Sequence, residues 1–144
     1  MSTEMITIDS PLPAAVAFER LLDLTQVTSW DRGIASSRQI GGTAGTVGAR
    51  YAVGVTGFDG RPTTAEYEVV AIGDLTFTMI GSHPDFRADD TVTAVETPDG
   101  CRVTYDASLV LLGDDPPISN ERLDATFAKL VAVVEDGLRT FLAD

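Results

Sequence analysis

The sequence predicts an α+β fold in which a curved antiparallel sheet wraps around one long C-terminal helix. Three observations predict it. From Ile34 to Leu112 apolar residues recur with period two between turn signals, the pattern of successive hairpins. After Pro116-Pro117 the period becomes helical: Leu123, Phe127, Leu130, Val131, Val134, Leu138, Phe141 and Leu142 recur at spacings of three and four. A sheet with one apolar face and a helix with one apolar stripe must bury each other.

The elements follow in order. Met5 to Ile8 is a short β-like run that ends at Asp9-Ser10-Pro11. Ser10 is expected to cap a helix there, with Pro11 at its first position and Pro13 still within the first turn. That helix runs through about Leu24, with Ala15, Phe18 and Leu22 as its buried stripe, and Thr25 to Ser29 forms a second, short helix before Trp30. Six strands follow at 34–40, 47–57, 64–72, 75–82, 87–96 and 101–111. Between them lie Gly41 to Gly45, Phe58 to Pro62, Gly73-Asp74, His83-Pro84-Asp85 and Pro98-Asp99-Gly100; Asp59-Gly60 favours a tight hairpin. With Met5 to Ile8 the sheet has seven strands. Ser119 is a good N-cap, and a helix from there to Leu142 is about 36 Å long, enough to cross the sheet. Gly137 interrupts it at a cost of about 1 kcal/mol relative to Ala. Close approach to a strand explains it, room for a ligand being the alternative. A strongly twisted sheet does not lie flat on a straight helix, and the gap between them is where a cavity belongs.

A chain of 144 residues is expected to form one domain, 1–144. Ten Lys and Arg against 22 Asp and Glu give a net charge of -12, which repels phosphate backbones and anionic head groups. Neither nucleic-acid binding nor stable membrane association is therefore expected. Cys101 has no second cysteine to pair with, the first nine residues lack a signal-like apolar run, and the expected location is cytoplasmic.

Three stretches carry a family resemblance: Ser10-Pro11-Leu12-Pro13-Ala14-Ala15-Val16; Trp30-Asp31-Arg32-Gly33-Ile34 with Gly45-Thr46-Val47-Gly48-Ala49-Arg50-Tyr51; and Asp99-Gly100-Cys101-Arg102-Val103-Thr104-Tyr105. They resemble the strand-to-helix passage, the Trp-Asp start of the second strand with its glycine-marked third strand, and the last-strand pattern of the START-like (SRPBCC) superfamily. The bacterial polyketide cyclase/dehydrase branch is the most similar. The resemblance implies a helix-grip fold and a ligand cavity, and it carries over no catalytic residue.

Residues two apart on a strand share a face, so alternation proposes the cavity wall. Tyr51, Val53 and Val55 face inward on one strand, and Ala65, Tyr67, Val69 and Ala71 on the next. Phe77, Met79, Gly81 and His83 share a face, as do Ala88, Asp90, Val92 and Ala94, and then Val103, Tyr105, Ala107, Leu109 and Leu111. The candidate ligand-contacting residues are Trp30, Tyr51, Val53, Tyr67, Phe77, Met79, His83, Val92, Tyr105 and Leu109, with Phe127 and Val131 from the helix. His83, the one histidine, reads either as a general acid or base, alone or paired with Asp90, or as a loop residue capping a turn beside Pro84. A one-residue slip of register would move Asp90 to solvent. Each tyrosine is either packed core with a satisfied hydroxyl or a ligand contact.

No metal, nucleotide or other cofactor is implied: His83 and Cys101 make no zinc site, and the glycines of 41–48 lack a phosphate-binding lysine. The leading expectation is a carrier or sensor of a small apolar or aromatic molecule, lipid- or polyketide-like. The alternatives are a cyclase/dehydrase using His83, Asp90 or the tyrosines, and an interaction protein with a filled core. Open sheet edges also make a homodimer available.

Overall fold

The computed structural model describes residues 1–144. Strand β1 (Ser2–Ser10) leads into helix α1 (Ala14–Leu22) and a 3₁₀ helix (Leu24–Ser29). Strands β2 (Ile34–Gly41), β3 (Arg50–Thr56), β4 (Pro62–Gly73), β5 (Thr76–Ser82), β6 (Phe86–Thr97) and β7 (Gly100–Leu111) follow, and then helix α2 (Asn120–Phe141). The strands make one antiparallel sheet in the order β1-β7-β6-β5-β4-β3-β2. Strands β2 to β7 form a meander, and β1 joins it beside β7, which leaves β1 and β2 as the edges. No helix is long and apolar enough to cross a membrane.

Helix α2 starts where the sequence places it, with the Ser119 hydroxyl accepting from the Arg122 N–H at 3.2 Å. Its buried stripe is Leu123, Phe127, Val131, Val134, Leu138 and Leu142. Leu130 is largely exposed and Phe141 half-buried, so the stripe is narrower than its periodicity suggests. Two serines of β1 fasten the helix along that strand. The Ser2 hydroxyl donates to Asp124 near the start of α2, and the Ser10 hydroxyl donates to the Leu142 carbonyl at its end, at 2.6 Å. The helix therefore runs alongside β1 in the same direction, while α1 leans on β6 and β7 and the 3₁₀ helix on β2.

Several expectations need correction. Ser10 is the last residue of β1 rather than a helix cap: its hydroxyl is engaged by Leu142 and by the Leu12 N–H. Helix α1 begins only at Ala14, whose N–H donates to the Glu96 carboxylate of β6 at 2.8 Å. A side chain remote in sequence thus supplies the cap. The face it buries is also different: Ala14, Ala17, Leu21 and Leu22 are buried, while Ala15 is exposed and Phe18 half-buried. Strand β3 begins at Arg50 because residues 42–48 form a loop with Gly42, Gly45 and Gly48 all at positive φ. In β4 a bulge between Val69 and Ala71 turns Ala71 out to solvent. Gly137 does make a close approach, but to a loop rather than a strand. A Cβ there would stand 1.9 Å from the Trp30 carbonyl oxygen.

Candidate functional site

Between the sheet and α2 lies a cavity of about 270 Å³. Phe127, Val131 and Val134 of α2 form one wall, and Ala88, Ala107 and Leu109 of β6 and β7 the facing one. Val55 to Phe58 close one side, with Phe58 meeting Phe86 edge-on at 5.9 Å between ring centres. Gly33, Ile34, which pairs with Val55, and the exposed Leu130 also border it. These walls are almost wholly apolar, the composition typical of a small-molecule pocket.

The inner end differs. There Asp31, Tyr67, Asp90 and Tyr105 line both the main cavity and an adjoining chamber of about 30 Å³, large enough for one water, bounded also by Leu24, Val27, Val53 and Met79. Asp90 sits mid-strand on β6 opposite Met79 and Ala107, and is only 7% exposed. The Tyr105 hydroxyl donates to its Oδ2 at 2.8 Å, and Trp30 packs edge-on against the Tyr105 ring at 5.8 Å. Tyr67 projects from β4, its ring lying over Gly81 of β5, where a Cβ would come within 2.5 Å of it. Asp31 arrives from the turn after the 3₁₀ helix; its Oδ1 accepts from the Gly33 N–H at 3.0 Å. The contact of Gly137 with the Trp30 carbonyl fixes that turn against α2.

This cluster is electrostatically unusual. Burial pushes the Asp90 carboxyl up to about 7, against the lowering effect of the Tyr105 hydrogen bond and with help from Asp31, Asp89 and Asp106. Burial also raises Asp31 to about 6, the Gly33 N–H partly opposing it. Both tyrosines are held well above the ordinary phenol range, first by burial and then by the Asp90 charge. No Lys, Arg or His lines the cavity, and no three acidic, histidine or cysteine side chains converge as metal ligands.

Of the residues that alternation proposes, Tyr67, Tyr105, Leu109, Phe127 and Val131 line the main cavity, and Val53 and Met79 the small chamber. Trp30, Tyr51, Phe77 and Val92 line neither and are buried in the core. His83 is also elsewhere. Its Nδ1 accepts from the Asp85 N–H at 3.0 Å, its Nε2 lies 3.0 Å from the Thr63 hydroxyl, and its ring stacks on Phe86. It caps the β5–β6 turn. A His83–Asp90 pair does not form, because Asp90 stands opposite Met79, four residues back along the chain. Asp31, Phe58 and Phe86 are cavity residues that alternation misses, and for Asp31 the Trp30-Asp31 dipeptide was the only signal.

Residues 3–143 match the family described as polyketide cyclase / dehydrase and lipid transport. The chain belongs to that family. Its fold is that of the START superfamily: a START superfamily protein from Mycobacterium smegmatis superposes with a TM-score of 0.81 at 10% identity, over 99% of this chain and 97% of that one. The major latex-like protein 151 of Panax ginseng matches with a TM-score of 0.71 at 15% identity, over 99% and 98%. The di-domain ARO/CYC protein BexL from the BE-7585A biosynthetic pathway matches at 0.73 and 10% identity; 99% of this chain covers 50% of that one. No curated protein matches the sequence. Among polyketide cyclase and lipid-transport relatives, the curved seven-stranded sheet around a C-terminal helix is thus the shared part, and the acidic inner end is read from this chain's own residues.

Proposed function

We propose that this protein binds one small, largely apolar or aromatic molecule, lipid- or polyketide-like, between its sheet and α2, as a cytoplasmic carrier or sensor. The observation that carries this reading is the cavity of about 270 Å³ with apolar walls and a polar inner end. Burying the ligand's apolar body contributes about 25 cal/mol per Å². The hydroxyls and carboxyls at the inner end then fix its orientation. Titration with an environment-sensitive apolar fluorophore tests it. One saturable site per chain is expected, and Ala107→Phe, which fills the cavity from β7, is expected to abolish it while the circular dichroism spectrum is retained. Saturable binding that survives Ala107→Phe would place the site elsewhere.

One observation favours a second reading, a cyclase/dehydrase. A carboxyl titrating at about 7 gives and takes protons near neutral pH. Asp90 as carboxylate would take a proton from the carbon beside a ligand carbonyl and return it to a departing hydroxyl, releasing water. Turnover of a β-hydroxy ketone, reduced about 100-fold in kcat by Asp90→Asn, is the expected result; no turnover leaves the carrier reading standing.

A further inference from the structure

The proposed pocket has one feature that its apolar walls do not require. Its only ionisable side chains are two acids and two phenols, all at the inner end. Asp90 lines the cavity, is 7% exposed, and only its Oδ2 has a hydrogen-bond partner, the Tyr105 hydroxyl. Asp31 opposes it from the 30–33 turn, and its one side-chain hydrogen bond is to the Gly33 N–H. No basic side chain approaches from any neighbouring element. The nearest one in sequence, Arg32, points outward to Asp136 at 3.5 Å, with both groups largely exposed. A buried carboxylate without a counter-charge is costly, and a fold that keeps one beside an empty space, with a second, half-buried acid next to it, is suited to a cation arriving from outside.

We propose, building on the binding reading above, that the cavity selects an apolar or aromatic molecule bearing a positively charged amine, whose ammonium meets the carboxylates of Asp31 and Asp90. An ammonium offers donors and no acceptor, which suits Asp90, Asp31 and the Tyr67 oxygen. The net charge of -12 draws cations towards the molecule and slows the approach of fatty-acid-like anions. A carboxylate ligand would be set against two acids in a low-dielectric site, where like charges repel most strongly.

The pH dependence follows from the charged and titratable groups around Asp90: Asp31 from the turn, Tyr67 from β4 and Tyr105 from β7 on its own side of the sheet, and Asp89 and Asp106 acting from the other face. Below about pH 6 both cavity acids carry their protons and the attraction is lost; it returns as pH rises through about 7.

Three probes with one aromatic body separate the possibilities: 2-naphthylmethylamine, 2-naphthylmethanol and 2-naphthoate, each titrated calorimetrically into the full chain. The ammonium is expected to bind about tenfold more tightly than the alcohol at about pH 8, with the carboxylate weakest. Its advantage should shrink to about twofold at about pH 5.5. Asp90→Asn, which keeps a polar partner for Tyr105, should cut the ammonium-over-alcohol ratio about fivefold. Alcohol binding as tight as ammonium binding at about pH 8, or an advantage insensitive to pH, overturns this inference and leaves the pocket intact. Binding of none of the three overturns the inference and the pocket reading together. The wild-type pH series decides the matter even if the variant does not fold.

Discussion

The two halves of α2 face the same sheet and do opposite things. From Gly137 to Leu142 the helix is pressed against its surroundings: the Gly137 backbone touches the Trp30 carbonyl, and Leu138 and Leu142 are 0% and 1% exposed. From Phe127 to Val134 the helix stands off the sheet, and the space between is cavity. The difference arises from one residue without a side chain and one turn. Gly137 lets the helix close on residue 30, and the same contact holds Asp31 at the cavity's inner end. Tight packing at one end thus positions a charged group in the loose one.

The contrast can be broken directly. Gly137→Ala forces a methyl group into the Trp30 carbonyl, and a loss of about 3 kcal/mol is expected in chemical denaturation. A neutral result would mean that the helix does not close there. Leu138→Ala in the packed half should also cost about 3 kcal/mol, whereas Val131→Ala beside the cavity should cost only about 1 kcal/mol, because its side chain already borders space. Equal losses, after allowing for side-chain size, would erase the distinction between the halves.

Asp90 sharpens it further. Folded Asp90 holds its proton up to about pH 7, while the ordinary carboxyl gives it up near 3.8. Between those values the folded state binds more protons than the unfolded, so stability falls as pH rises through that window and is fully discounted above it. Asp90→Asn is therefore expected to stabilise the ligand-free protein at about pH 8, by about 2 kcal/mol, and to flatten the dependence of Tm on pH between about 4 and 7. A variant no more stable than wild type at high pH would show that the carboxylate has a counter-charge after all. The smallest effect belongs to Arg32→Ala. Its exposed pairing with Asp136 should be worth less than about 0.5 kcal/mol, and less again in high salt.

The sheet and α2 were legible because period two, period 3.6 and the glycine-marked turns are local signals. The start of α1 was not, since its cap is Glu96, a side chain 82 residues away. Alternation put Tyr67, Asp90 and Tyr105 on one inward face, and the β6 register keeps Asp90 there. It also put His83 on the face of Met79, which parity alone allows; parity does not measure how far along the strand two residues lie. Asp31 stands on a turn, where neither period applies, so its place beside Asp90 depends on how α2 closes over residue 30. Phe77 and Val92 have the right parity too, yet they lie where the sheet's inner face is covered by packed side chains instead of space.

The serine ties of β1 carry a consequence for how such a protein diversifies. Ser2 and Ser10 secure α2 along one flank, through groups that line neither the cavity nor its small inner chamber. The residues that would recognise a guest come instead from the 30–34 turn, the β3–β4 hairpin and the inward positions of β6 and β7. Attachment and recognition are therefore carried by separate sets of residues. Substitutions in one set can accumulate while the other is unchanged, and a lineage of these chains can exchange one guest for another without losing the frame.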